Sequence, residues 1–271
     1  MIFGGHVSIA GGLHNALIKG REEGFDVLQI FVTSPRTFRT TRYTDEEIKV
    51  FRSQYAEFNF KRLFFHAIYL INFGSHNQRL RELSRESVVH YLQMGDKLGS
   101  IGTIIHLGTD TNRENIISDI KTVLLHTPSS QYFIVESMAS QKRLGSNIDE
   151  LIYINKEVNS DRIGFCIDTQ HLFASGTDVR DFSILKQWLD EFDSKIGIDK
   201  LLCIHANDSK TELGSHHDRH ENIGEGKIGK EGFHNILKQP LLQDKPFILE
   251  TPGFDKKGPD KKNLRRLKCL L

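Results

Sequence analysis

Six apolar runs in this 271-residue chain each end on a side chain able to bind a metal: Phe64-Phe65-His66, Ile104-Ile105-His106, Ile134-Val135-Glu136, Cys166-Ile167-Asp168, Cys203-Ile204-His205 and Ile248-Leu249-Glu250. Successive run ends lie 30 to 45 residues apart, room for one strand, one loop and one helix, which is the spacing of repeated βα units. Asp, Glu and His together make up 48 of the 271 residues, so a single run with such an ending carries little weight. Six in succession are a pattern. One site drawn from so many units requires parallel strands closed into a barrel, with the donors at one rim.

Runs rich in β-formers between turn signals predict eight strands: Phe3–Ser8, Val27–Val32, Arg62–Ile68, Gly102–Leu107, Tyr132–Ser137, Arg162–Asp168, Leu201–Asn207 and Pro246–Glu250. Most are continuously apolar, as strands covered on both faces require. Ile116, Ile117, Ile120, Val123 and Leu124 form a helical stripe that stops at Thr127-Pro128. Further helices are predicted over Gln78–Leu98, Asp45–Phe58 and Ile184–Phe192. Strands alternating with helices predict one α/β domain over residues 1–271, a (β/α)₈ TIM barrel whose metal site lies at the C-terminal face of the strands.

The length fits, since such a barrel typically needs about 250 residues. No apolar stretch approaches the ~20 residues that span a bilayer, and the N-terminus lacks a basic-then-apolar leader pattern. The expected location is therefore the cytoplasm. Cys166, Cys203 and Cys269 form no C-x-x-C pair, so no disulfide framework is expected, and the first two read as small buried hydrophobes in strands. A formal charge of +1 does not announce a nucleic-acid partner.

Two further clusters add donors: His171 lies just past the sixth strand, three residues after Asp168, and Asp218 and His220 sit at i, i+2 in the loop after the seventh, on one side if that stretch is extended. The set is then His66, His106, Glu136, Asp168, His171, His205, Asp218, His220 and Glu250, too many for one ion. A catalytic zinc takes about three or four protein ligands, so nine donors fit two or three ions with a carboxylate bridging. Imidazole mixed with carboxylate, without thiolate, indicates Zn²⁺, with Mn²⁺ or Fe²⁺ as alternatives. Three divalent ions against four carboxylates would leave the centre cationic by about two charges. Clustered ions suit in-line displacement at a phosphodiester, and phosphodiester hydrolysis is the expected reaction.

At these residues the chain resembles the endonuclease IV family of apurinic/apyrimidinic endonucleases. The resemblance runs nearly end to end. It includes Gly5-His6-Val7-Ser8 with Gly11-Gly12, His66-Ala-Ile-Tyr69-Leu70-Ile-Asn72, Ile105-His106-Leu-Gly108 and Cys166-Ile-Asp168-Thr-Gln-His171. Its most specific part is the block from His205-Ala-Asn207-Asp208-Ser209-Lys210 through Asp218-Arg-His220-Glu221-Asn222-Ile223-Gly224-Glu225-Gly226, closed by Leu249-Glu250-Thr251-Pro252. The resemblance implies three zinc ions: one on His66, His106 and Glu136, a second on Glu136, Asp168, His205 and Glu250, and a third on His171, Asp218 and His220. Glu136, shared by two ions, is the implied catalytic centre. The implied substrate is double-stranded DNA with an abasic or 3′-blocked lesion, cut 5′ to the abasic site to leave a 3′-hydroxyl and a 5′-deoxyribose phosphate, with trimming of blocked 3′ ends. It also implies that Arg36, Tyr69 and Leu70 enter the duplex, and a monomer is expected to do this work.

The chain departs from the family in two places. Ser137-Met138-Ala139-Ser140 replaces the usual Asn-Thr-Ala-Gly after Glu136, where orientation of that carboxylate would be set, and Gln170 replaces a cysteine. Neither removes a ligand. His6 reads either as a structural hydrogen-bonding residue or as a group that holds phosphate or orients a ligand. Arg39, Arg42 and the basic tail from Lys256 to Lys268 read mainly as solvated surface. Two rivals remain at this level: a sugar isomerase or epimerase on the same barrel, and a non-catalytic protein that binds abasic DNA.

Overall fold

The computed structural model describes residues 1–109, 112–140 and 143–271. In chain order the elements are β1 (Ile2–Val7), α1 (Leu13–Glu23), β2 (Val27–Ile30), α2 (Asp45–Glu57), β3 (Arg62–His66), α3 (Gln78–Leu98), β4 (Gly102–Ile105), α4 (Arg113–Leu125), β5 (Tyr132–Glu136) and α5 (Ile148–Val158). They continue as β6 (Ile163–Asp168), α6 (Thr169–Ser175), α7 (Phe182–Lys195), β7 (Leu201–His205), β8 (Asp208–Ser209), β9 (His220–Glu221), α8 (Gly229–Leu237), β10 (Pro246–Leu249) and α9 (Lys261–Lys268). Eight strands close in the order β1-β10-β7-β6-β5-β4-β3-β2, and the pairings are parallel throughout. This is the expected barrel. Several strands stop one or two residues earlier than expected, at Ile30, His66 and Ile105 for example, because ladder pairing ends where the chain turns into the loops of the mouth.

The helices start and stop on local chemistry. Thr44 and Glu47 form a reciprocal capping box on α2, and Asn77 accepts from the Leu80 N–H to begin α3, which ends on the left-handed Gly99. The expected helix over Ile184–Phe192 extends to Phe182–Lys195 because Asp181 caps it, accepting from the Ser183 and Ile184 N–H groups. On α4, Ile116, Ile117, Ile120, Val123 and Leu124 are buried as the stripe required. Among the described residues no helix is long and apolar enough to cross a membrane.

The larger core lies between sheet and helices; a smaller one fills the barrel with Val27, Phe64, Ile104, Ile134, Cys166, Cys203 and Ile248. Strand side chains alternate between faces, so the residue two positions further along each strand returns to the interior, one level nearer the mouth. Those residues are Gln29, His66, His106, Glu136, Asp168, His205 and Glu250, and β1 adds His6 above Gly4. Every barrel strand thus delivers one polar side chain to a single layer. Gly4 is needed for closure, because a Cβ there would sit 1.7 Å from the Val27 carbonyl oxygen. Cys166 and Cys203 are free and buried, as expected of small hydrophobes in strands.

Candidate metal centre

Three interlocking groups of donor atoms occupy this layer and the loops just above it: His66, His106 and Glu136; Glu136, Asp168, His205 and Glu250; and Asp168, His171 and His220. Within each group the donor atoms all lie within 4.8 Å of one another. Glu136 belongs to two groups and is fully buried. Its Oε2 lies 3.2 Å from Nε2 of both His66 and His106, and its Oε1 lies 2.8 Å from His205 Nδ1. The structure therefore brings the nine sequence-selected donors into one mouth. One grouping differs from the expectation: Asp168 completes the third group with His171 and His220, while Asp218 reaches in from the rim, 3.3 Å from Nε2 of each histidine.

His171 enters as part of α6, whose first turn is capped by Asp168, which accepts from the Gln170 and His171 N–H groups. Asp218 and His220 come from the long loop after β7, folded back as an antiparallel β8–β9 pair with Ser209 opposite His220. Asp208 pins that loop. Its carboxylate accepts from the N–H groups of Gly224, Gly226, Ile228 and Gly229. A Cβ at Gly226 would lie 2.5 Å from the Asp208 carboxylate, so only glycine permits the approach. The Gly224–Gly229 stretch is thus a tight turn that supports the site.

The other ring nitrogen of each histidine is also engaged. His66 Nδ1 donates to the Ala67 carbonyl (2.7 Å), His171 Nδ1 to the Ser137 carbonyl (2.8 Å), and His205 Nε2 to Gln29 Oε1 (2.8 Å). Gln29 Nε2 meanwhile donates to Glu250 Oε1 at 2.6 Å and faces His6 Nδ1 at 2.9 Å, which fixes its amide orientation. Asn207 does the same across β7, donating to Asp168 Oδ2 and accepting from the Glu250 N–H. Sequence reasoning missed Gln29 and left His6 undecided. The interior period of two, applied to β1 and β2 as to the other strands, is the signal that finds both.

The electrostatics are those of a centre built around positive charge. Burial opposes ionisation of Glu136, yet His106, His205 and His66 hold its carboxyl well below the usual carboxylate range. Glu250 and Asp218 are likewise lowered against burial, chiefly by His205 for the first and by His171 and His220 for the second. Burial disfavours charge on His171 and His220, but Asp168 and Asp218 push them up to about 10 and about 9. His106 goes the other way, brought down to about 4 by burial despite Glu136. Without cations, four clustered carboxylates are compensated by protonated imidazoles; cations would release those protons and take their place. Nε2 of His171 and of His220 is buried and faces the centre, with the Asp218 carboxylate 3.3 Å from each. Imidazole and carboxylate donors at these separations fit borderline divalent ions such as zinc.

The layer opens into a cleft of about 510 Å³ lined by His6, Phe31, Tyr69, His171, Asp218 and Glu250 among others. Beside it stand Tyr69, 64% exposed, and Leu70, 39% exposed, on the loop after β3. Arg36 is exposed on the neighbouring loop, tied to the first where the Tyr69 N–H donates to the Pro35 carbonyl at 3.2 Å. Tyr69 and Leu70 thus form a contiguous apolar projection on one loop at the edge of the cleft, the kind of exposed patch that marks an interaction surface. In the tail, Lys262 and Arg266 lie over the Phe254 ring, and Arg266 pairs with Glu225.

Comparison with known proteins agrees with this architecture. Residues 18–269 match the family model described as a xylose isomerase-like TIM barrel. The chain is 39% identical over 268 residues to the probable endonuclease 4 of Halothermothrix orenii, covering 96% of each chain. It is 36% identical to that of Streptomyces avermitilis, covering 92% of this chain and 84% of the other. The crystal structure of endonuclease IV from Thermus thermophilus superimposes with a TM-score of 0.89 at 30% identity, covering 100% of this chain and 98% of that one. A D-tagatose 3-epimerase-like protein shares the fold alone, at 21% identity and a TM-score of 0.72. By these similarities the chain belongs to the endonuclease 4 family, built on the xylose isomerase-like TIM barrel.

Proposed function

We propose that this chain is a zinc-dependent apurinic/apyrimidinic endonuclease acting as a monomer on damaged double-stranded DNA in the cytoplasm. It hydrolyses the phosphodiester 5′ to an abasic site, leaving a 3′-hydroxyl and a 5′-deoxyribose phosphate, and trims blocked 3′ ends. The observation that carries the reading is the interlocking of three donor groups through Glu136 and Asp168 in one cleft. In this reading His66, His106 and Glu136 hold one ion, Glu136, Asp168, His205 and Glu250 a second, and His171, Asp218 and His220 a third, with Asp168 beside it. Bound ions would supply Lewis-acid polarisation of the phosphate and neutralise the charge that develops on attacking and leaving oxygens.

The chain's own residues do the rest. Gln29 and Asn207 hold His205, Glu250 and Asp168 in fixed orientations, so little reorganisation is left for the reaction itself. A backbone phosphate is the same at every nucleotide, so damage must be read by the loops. Tyr69 and Leu70 enter the duplex as an apolar wedge, with Arg36 beside them, at a position whose missing base has already lost its stacking. A sugar epimerase would have no use for the third donor group, which favours the nuclease reading over that rival.

The test is a nicking assay on duplex DNA with one synthetic abasic site, alongside a zinc count on the same preparation. About three zinc ions per chain, with chelator-sensitive cleavage restricted to the lesion, are expected. Tight abasic-DNA binding without nicking at full metal content would identify a non-catalytic binder and overturn the proposal.

A further inference from the structure

The histidines of the centre are not held alike. In four of them the nitrogen turned away from the donor groups meets an oxygen: the carbonyls of Ala67, Ser137 and Glu250 for His66, His171 and His220, and the amide oxygen of Gln29 for His205. His106 Nδ1 instead meets the thioether sulfur of Met138 at 2.9 Å. Met138 is 3% exposed, and its backbone N–H is tied to the Gly145 carbonyl at 3.0 Å, so the sulfur is delivered to this contact from a fixed, buried stretch of chain.

A thioether is a weak acceptor on a side chain with three rotatable bonds. An imidazole whose far N–H is held by a strong acceptor is both better oriented and more basic at its ligating nitrogen. His106 receives less of both effects than its neighbours. It is also the most accessible of the five, its side chain 24% exposed against 3% for His66 and 18% for His220.

We propose that Met138 is a positioning residue that holds His106 through its sulfur, and that this weak support makes the His66–His106–Glu136 group the most readily emptied of the three. The inference rests on the metal-centre reading above. Its chemistry is that of a tunable outer layer of support: changing the acceptor on position 138 changes how long one ion stays, and leaves the other groups alone.

The experiment follows zinc release from the loaded full-length protein into a chromophoric chelator, for the wild type, Met138→Gln and Met138→Leu. Glutamine presents an amide oxygen at similar reach; leucine keeps the volume and removes the acceptor. One zinc equivalent per chain is expected to leave in a distinct fast phase from the wild type. That phase should slow about tenfold or more in Met138→Gln and quicken about tenfold in Met138→Leu, while later phases stay unchanged. In the zinc-loaded protein the His106 Nδ1–H proton resonance, read by NMR, should move downfield in Met138→Gln, a shift that packing alone does not produce. Leucine fills the site isosterically, so its release rate decides the matter even where glutamine disturbs packing. Release unaffected by either variant, or equal changes in every phase, would overturn the role of Met138 and leave the centre standing. A wild-type protein that takes up no zinc would remove the centre itself, and this inference with it.

Discussion

Replacing Glu136 tests the central feature of the site, a buried carboxylate shared by two donor groups. Glu136→Gln keeps the volume and one carbonyl oxygen but removes the negative charge that faces His66, His106 and His205 at 2.8 to 3.2 Å. Zinc binding at a four-ligand structural site is worth about 10–16 kcal/mol, or about 3 kcal/mol per ligand. At 1.4 kcal/mol per tenfold, losing one anionic ligand weakens an ion's hold by about a hundredfold. Because Glu136 serves two groups, two ions should loosen together while the Asp168–His171–His220 group keeps its own. The assay is chelator competition with stoichiometry, followed by single-turnover nicking of abasic duplex. Zinc content should fall from about three to about one per chain at chelator levels the wild type withstands, with cleavage reduced at least about a thousandfold. Full zinc retention with near-normal cleavage by Glu136→Gln would refute the sharing.

The wedge, the protonation of the centre and the closure of the barrel can be tested separately. Tyr69→Ala with Leu70→Ala should weaken binding to abasic duplex by about tenfold or more and to intact duplex by much less; equal losses in a binding titration would dismiss the wedge. His171 and His220, at about 10 and about 9 without metal, are protonated at pH 7, so filling their group should release about two protons. Calorimetry in two buffers of different ionisation enthalpy reads that number, and zinc affinity there should rise with pH up to about 10; a pH-independent affinity would contradict it. In the metal-free protein the sign reverses: these raised values add stability that is complete below pH 6.5 and is lost as pH climbs through about 9 to 10, visible as a falling Tm. Gly4→Ala should cost about 3 kcal/mol or more in a denaturant melt, because the added carbon overlaps the Val27 carbonyl and β1 must leave β2. A shift under about 1 kcal/mol would show that the barrel yields there.

Much of the barrel is legible along the chain because its physics is local. An apolar run followed by a polar end identifies a strand facing the barrel interior, and Phe64 before His66 or Cys203 before His205 places both in register without knowledge of any neighbour. The caps at Thr44, Asn77 and Asp181 mark helix starts through bonds that span only three residues. The donors themselves are equally legible, since most sit two residues beyond an inner-layer side chain. Gln29 escaped, and His6 stayed undecided, because a glutamine inside a strand, or a histidine near its end, looks like any polar residue until its partners from β7 and β10 are in place.

Periodicity within a strand or helix is thus enough to establish the βα rhythm and the set of side chains offered to the mouth. Which donors lie together, that Asp168 faces the third group, that Asp208 folds the long loop back to deliver His220, and that sulfur meets His106 Nδ1 were settled by the tertiary structure. Those contacts join residues as far apart as 32 positions for His106 and Met138 and 221 for Gln29 and Glu250. Separations of about 3 Å between such residues depend on how eight strands twist and meet. No local pattern in the chain encodes them.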